Sequence, residues 1–196
     1  EATPITPGIQ YPMYDSRYQH GVTVIGYGIT SPNANDSGTR RRRENVSLLC
    51  TPGDPVLDCG KADSTGLIQG VMSDREFIAK EGTCQGDSGS SAYEQGFWNQ
   101  GKPLSFGVLS RGGASSDGKT CLQPVYTRLD AFRDLVIDAA KQASANWTKY
   151  PEPSWTTFVP PTTPGTDGGT TTPGKTLGAA GDDCSEDSDC LSSACV

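Results

Sequence analysis

The chain has 196 residues, of which 24 are glycine and 14 are proline, and its formal net charge is −7 at pH 7. Glycine and proline at this level favour short strands joined by tight turns. The negative charge argues against a nucleic-acid surface, which needs clustered Lys and Arg, and no apolar run is long enough to span a membrane.

Short apolar stretches bounded by turn residues predict the strands in chain order. Residues 22–28, which read V-T-V-I-G-Y-G, give the first strand. A turn-rich loop at 30–39 follows, and the four arginines at 40–43 are interpreted as a solvated face in the loop before the next strand. The later strand candidates are residues 45–49, 67–72, 76–79, 91–93, 104–110 and 124–128.

A change of pattern at Asp130 predicts a closing helix of about four turns over residues 130–143, with Asp130 able to cap its start. The apolar side chains expected on its buried face are Phe132, Leu135, Val136 and either Ala139 or Ala140.

Composition divides the chain into three parts. Residues 1–148 form the β-rich body, residues 149–178 are a Pro/Thr/Gly-rich stretch predicted to be an extended, mobile linker, and residues 179–196 begin a Cys-rich module.

Seven cysteines fall in two groups. Four lie in the body, at positions 50, 59, 84 and 121, and three lie near the end, at Cys184, Cys190 and Cys195. The chain has one histidine, so Cys/His ligation of zinc is not expected and the cysteines predict an oxidising, extracellular compartment. The odd terminal group suggests a truncated disulfide module, and its pairing is left open.

The stretch G-T-C-Q-G-D-S-G-S-S at residues 82–91 predicts a nucleophilic serine. Glycines beside Asp87 and Ser88 let the backbone turn sharply. The N–H groups of Gly86 and Ser88 can then face one space, as an oxyanion hole requires. A serine hydroxyl needs a base, yet the only histidine, His20, precedes the first predicted strand and is interpreted as a structural polar residue.

Four motifs carry a resemblance to a known family. T-C-Q-G-D-S-G-S resembles the nucleophile motif of the trypsin/chymotrypsin-like serine endopeptidases, usually G-D-S-G-G-P. V-I-G-Y-G is similar to that family's S-G-W-G strand, P-L-S-F-G-V-L-S-R-G to its G-I-V-S-W-G strand, and P-V-Y-T-R-L-D-A-F to its G-V-Y-T-K-V strand. The motifs occur in order over residues 1–146. The resemblance implies an all-β fold, the C-terminal antiparallel Greek-key β-barrel of the protease domain with its closing helix.

The same resemblance implies roles for residues around the serine. Ser88 would be the nucleophile, and the N–H groups of Gly86 and Ser88 would bind the oxyanion. Asp87 would accept the N-terminal ammonium that is released when a zymogen is cleaved. Cys84 and Cys121 match the disulfide that staples the specificity pocket. Cys50 and Cys59 lack a family equivalent and are paired with each other by elimination.

The specificity pocket is implied as well. Gly82 takes the floor position, where an aspartate would select Arg or Lys. The substrate-binding walls would be formed by Ser110, Arg111, Gly112 and Pro124. A basic P1 side chain would then be buried without a partner, which is costly, so an uncharged, apolar P1 residue is expected unless Asp117 turns inward.

The resulting prediction is a secreted serine endopeptidase that acts on a protein or peptide, with no cofactor or metal implied. The family's catalytic His and Asp belong to an N-terminal barrel that this sequence lacks, so the chain alone is not expected to hydrolyse peptides at a useful rate. Three explanations stay open: a fragment, one chain of a form cleaved between the barrels, or an inactive protease-like extracellular binding module.

Overall fold

The computed structural model describes residues 4–60, 73–143 and 151–159, and these are mostly β. The strands are β1 (Thr6–Pro7), β2 (Gly21–Gly26), β3 (Arg41–Cys50), β4 (Glu76–Ala79), β5 (Ser91–Glu94), β6 (Leu104–Ala114) and β7 (Cys121–Arg128). The helices are α1 (Gln95–Asn99) and α2 (Arg133–Ala143), with 3-10 turns at Asp130–Phe132 and Ser154–Thr156.

Six of these strands close into an antiparallel barrel, in the spatial order β2–β3–β4–β7–β6–β5 with β5 paired back to β2. The short β1 adds to β6 in parallel. Because β2, β3 and β4 are consecutive neighbours and β5 returns beside β2, the connectivity is that of a Greek key. The connection from β4 to β5 carries residues 80–90.

The core fills the barrel interior with side chains that alternate along the strands. On β3, for example, Val46, Leu48 and Cys50 are buried while Ser47 between them is exposed. The Phe77 and Tyr126 rings stack with their centroids 5.0 Å apart. Burial of each such side chain contributes roughly 1.5–3 kcal/mol. Among the described residues, the predicted strand segments supply most of this core.

Several strands are longer than the apolar segments that predict them. β3 begins at Arg41, which pairs with Gly26 of β2, so the prediction that the arginines at 41–43 lie in a loop is wrong. β6 and β7 likewise extend to the pair Ala114 and Cys121. The residues added at the start of β3 are charged, and those of β6 and β7 are at most half-buried, so the extensions give no hydrophobic alternation. β1 and α1 were not predicted, and the predicted strand at 67–72 lies outside the described residues.

The closing helix is present, with two corrections. Asp130 does not cap it, because its carboxylate binds the Arg128 guanidinium at 2.6 Å and accepts the Met13 N–H at 2.9 Å. Of the predicted buried face, Phe132, Val136 and Ala140 are half-buried, whereas Leu135 is 46% exposed. The most buried side chain of the helix is Ile137, 6% exposed, which is not in the predicted set. Ile137 lines a cavity together with Thr156 of the segment that follows the helix.

That segment, residues 151–159, packs on the body. Thr156 is buried, and the Phe158 ring lies 5.0 Å from the ring of Tyr11. Packed structure therefore reaches residue 159, past residue 149, where the linker is predicted to begin. Residues 160–178 and the predicted Cys-rich module with Cys184, Cys190 and Cys195 lie outside the described residues.

Both predicted disulfides are present. Cys50 bonds Cys59 and Cys84 bonds Cys121, with Cα atoms 4.8 and 5.4 Å apart. No cysteine in the described part of the chain is free. Across residues 4–60, 73–143 and 151–159, no helix has the length and apolar character needed to cross a membrane.

Candidate active site

Ser88 lies in a tight turn within the β4–β5 connection. The Asp87 N–H donates to the Cys84 carbonyl at 3.1 Å, and the Ser90 N–H donates to the Asp87 carbonyl at 2.9 Å. Gly86 and Gly89 have φ angles of 94° and 84°, a region that glycine adopts without strain. The turn thus favours glycine at both positions, and it leaves Ser88 exposed.

The N–H groups of this turn fall into two sets. Those of Cys84, Asp87, Gly89 and Ser90 donate to acceptors of the chain. Within the described residues, the N–H groups of Gln85, Gly86 and Ser88 have no such acceptor. The two groups expected to form an oxyanion hole, on Gly86 and Ser88, are therefore free to bind an incoming oxygen.

Asp87 lies beneath the turn, 8% exposed. Its Oδ1 accepts the Gly28 N–H at 2.6 Å and its Oδ2 accepts the Cys84 N–H at 2.9 Å. A Cβ at Gly26 or Gly28 would come within 1.9 or 2.7 Å of this carboxylate, which explains both glycines of V-I-G-Y-G. The role of Asp87 towards a released N-terminal ammonium stays a prediction.

Two buried hydroxyls lie under the same turn. Burial raises the pKa of Tyr126 to about 12, and the nearby Thr83 hydroxyl partly opposes this shift. Among the described residues, neither hydroxyl has a hydrogen-bond partner. The Tyr126 phenol is therefore neutral at ordinary pH.

A cavity of about 300 Å³ opens beside Ser88. Its lining residues are Pro32, Thr83, Cys84, Gln85, Ser88, Leu109, Arg111, Gly112, Gly113, Ala114 and Cys121. Of the predicted substrate-binding residues, Arg111 and Gly112 are among them. Pro124 is buried, and its Cα lies 3.5 Å from where a Cβ on Gly112 would be. Ser110 is exposed on β6.

Gly82 lines a second cavity, of about 290 Å³, which also has Asp87 in its wall. The Cys84–Cys121 disulfide borders both cavities. A Cβ on Gly82 would lie 3.0 Å from Val24 Cγ2, 3.1 Å from Val46 Cγ2 and 3.7 Å from Arg43 Cδ, so two apolar side chains and the stem of an arginine lie beside this position. Asp117, whose inward turn was left open, is exposed and bonds Ser115 Oγ at 2.6 Å.

Arg111 is the charged side chain at the wall of the cavity beside Ser88. It forms a two-point ion pair with Glu76, in which Nη2 and Oε2 lie 2.9 Å apart. The hydrogen bond from Arg111 holds the pKa of Glu76 below its usual value, and the same bond raises the pKa of Arg111. The charge of Arg111 is thus balanced by its own partner.

His20 lies at the other end of β2. Its carbonyl accepts the Leu48 N–H at 3.0 Å, and its Nε2 lies 3.1 Å from Asp54 Oδ2. Gly28, which binds Asp87, is eight residues further along the chain, a distance of about 25 Å in extended backbone. The single histidine is therefore too far from Ser88 to act as its base.

No sequence motif identifies Arg41, which donates to the Gly28 carbonyl behind the turn, or Asp36, whose carbonyl accepts from Arg41. The only signal for them is the run of arginines after a turn-rich loop, which by itself indicates a solvated face. No protein-family model matches the chain, and no curated protein matches its sequence.

Proposed function

We propose that this chain is the C-terminal barrel of an extracellular serine endopeptidase of the trypsin/chymotrypsin-like kind, with Ser88 as its nucleophile. The observation that carries the proposal is the turn itself. An exposed Ser88 stands beside a cavity, and the N–H groups of Gly86 and Ser88 lack acceptors in the described chain. The disulfides favour an extracellular location.

In the proposed reaction, Ser88 Oγ attacks the scissile carbonyl carbon while a histidine takes the hydroxyl proton. The negative charge that forms on the carbonyl oxygen is bound by the N–H groups of Gly86 and Ser88, and loss of one such donor costs on the order of 10²–10³ in rate. The histidine then protonates the leaving amine, and water hydrolyses the acyl-enzyme.

The histidine and its aspartate would come from an N-terminal barrel, in the same chain or in a cleaved companion. His20 cannot supply the base, because β2 separates it from the turn and its ring faces Asp54. Without that second barrel the described residues bind and orient a substrate carbonyl but do not activate Ser88.

The P1 residue is proposed to be uncharged. Val24, Val46 and the stem of Arg43 lie beside the Gly82 position, and the Arg111 guanidinium is already paired with Glu76. A basic P1 side chain would therefore find no acidic partner among the predicted pocket residues, and its burial would be costly.

The test is fluorophosphonate labelling of the native secreted protein, with the adduct located by mass spectrometry. We expect the adduct on Ser88. Ser88→Ala should abolish labelling. Ser90→Ala is the matched control, because Ser90 lies two residues away and its buried hydroxyl has no hydrogen-bond partner, so this variant should label normally.

Absence of any adduct on intact, properly processed protein would sink the enzymatic proposal. The chain would then be best described as a protease-like extracellular binding module, which keeps the turn without its chemistry.

A further inference from the structure

The turn that carries Ser88 is bound from behind by the loop that follows β2. The Gly28 N–H donates to Asp87 Oδ1 at 2.6 Å, and the Ile29 N–H donates to the Gln85 carbonyl at 2.9 Å. Two consecutive N–H groups therefore hold the two ends of the segment from Gln85 to Asp87, and Gly86 lies between them. Any displacement of this loop would move the proposed oxyanion donors.

Arg41 fixes the position of that loop. Its Nη1 donates to the Gly28 carbonyl at 3.0 Å. Gly28 is thus bound on both sides, since its N–H reaches Asp87 and its carbonyl receives the guanidinium. A hydrogen bond from a charged donor is stronger than one between neutral groups.

Asp36 in turn orients the Arg41 guanidinium. Arg41 Nη2 donates to the Asp36 carbonyl at 2.8 Å and lies 3.2 Å from its Oδ2. The Asp36 carboxylate also accepts the Thr30 N–H at 3.0 Å and the Thr30 hydroxyl at 2.8 Å. These Thr30 bonds hold the pKa of Asp36 below its usual value, so the carboxylate stays charged and the fork of Arg41 has a fixed partner.

The neighbouring Arg42 and Arg43 form ion pairs with glutamates. Arg42 pairs with Glu44 at 3.0 Å, and Arg43 pairs with Glu81. Neither of them donates to the loop that holds Asp87 in the described structure. The run of arginines therefore contains one residue linked to the serine turn and, next to it, residues that serve as internal controls.

We infer that Arg41 is a positioning residue for the Ser88 turn, which it reaches through Gly28 and Asp87. The inference rests on the proposed function. In this inference, hydrogen bonds connect the half-exposed Arg41 to the oxyanion donors, and Asp36 orients the Arg41 guanidinium. Removal of Arg41 is expected to loosen the turn and lower kcat about tenfold, the effect of losing one charge-assisted hydrogen bond, with little change in KM.

The experiment compares Arg41→Ala with Arg42→Ala in the full secreted protein. Enzyme concentration is set by fluorophosphonate titration, and kcat and KM are measured on one uncharged peptide substrate. We expect the kcat of Arg41→Ala to fall about tenfold and that of Arg42→Ala to stay within twofold. Arg41→Lys should lie between them, because a lysine cannot bind Gly28 and Asp36 in the same forked geometry.

Amide hydrogen exchange of the same variants provides a readout that does not need activity. Exchange of the hydrogen-bonded amides of Gly28, Ile29 and Asp87 should accelerate in Arg41→Ala and remain unchanged in Arg42→Ala. If wild-type protein is not labelled at Ser88, the proposed function fails, and exchange alone decides the role of Arg41. Equal exchange in the two variants, or faster exchange with an unchanged kcat, would overturn the inference.

Discussion

Two buried carboxylates lie near opposite ends of β2, and they differ in what they hold. Asp54, 1% exposed, uses one oxygen for local bonds, because its Oδ1 accepts the N–H groups of Val56 and Leu57. Asp87, 8% exposed, uses both oxygens, and one of them binds Gly28, 59 residues away in the chain. The first organises its own loop, whereas the second ties two distant segments together at the serine.

The comparison also shows why a histidine beside an aspartate is not by itself a catalytic pair. His20 faces Asp54. In the described structure, however, the serine with unbonded N–H groups beside it lies at the opposite end of the barrel. At the other end the serine and the free N–H groups are present, and the chain brings no histidine there. A histidine and an aspartate can support catalysis only where a nucleophile lies within reach of the histidine.

The largest effect is expected from Asp87→Asn. The new amide matches the carboxylate in shape, but its NH₂ must face the N–H of either Gly28 or Cys84, so one buried donor loses its acceptor. We expect a loss of about 3 kcal/mol in unfolding free energy. The rate of fluorophosphonate labelling at Ser88 should fall by about 10² or more. Urea unfolding and timed labelling measure the two effects, and labelling at the wild-type rate would contradict the assigned role.

The same change at Asp54 should lower the unfolding free energy much less. In Asp54→Asn the carbonyl oxygen can keep the bonds from Val56 and Leu57 while the amide faces His20. We expect about 1 kcal/mol in urea unfolding, with Ser88 labelling within twofold of the wild type. A large loss of labelling in this variant would show that the two ends of β2 are coupled. Asp54 would then affect the serine turn as Asp87 does.

The smallest effect on the unfolding free energy is expected from a substitution at Glu76, whose carboxylate is bound by an arginine and not by buried backbone N–H groups. Because Arg111 lowers the pKa of folded Glu76, this pair stabilises the fold above the unfolded pKa of about 4.3 and loses its contribution as pH falls through the folded value. Glu76→Gln should cost less than about 1 kcal/mol at pH 7.

Unfolding free energies of wild type and Glu76→Gln should therefore converge as pH falls below about 4.3. Urea titrations at a series of pH values below neutrality measure the convergence. A difference that stays constant with pH would show that the Glu76–Arg111 pair is not the cause.

Much of the barrel could be predicted from local patterns. Alternating core side chains such as Val22, Val24 and Phe77 mark the strands, and the turn around Ser88 is encoded by its own glycines. The five-residue α1 is too short for a helical period to be seen. Ile137, the most buried residue of α2, lies beside a segment from beyond residue 150, and no periodicity within the helix contains that information.

The contacts behind the serine could not be predicted for a different reason. They require Arg41 to pair with Gly26 in the sheet, which brings its side chain back to the loop after β2. They also require the β4–β5 connection to cross the same end of the barrel. Strand register and closure are decided by the whole fold, so a run of arginines in the sequence cannot reveal which of them faces the turn.

Closure of the barrel has a consequence for how the chain reaches this structure. Two of the pairings in the ring join residues 22–24 to residues 92–94 and residues 76–78 to residues 125–127, so the ring is complete only when segments far apart in sequence meet. Topologies of this kind fold over milliseconds to seconds. Until then the edges of β2, β4, β5 and β7 are open to pairing with other chains, and the time spent in that state governs how much protein is lost to aggregation.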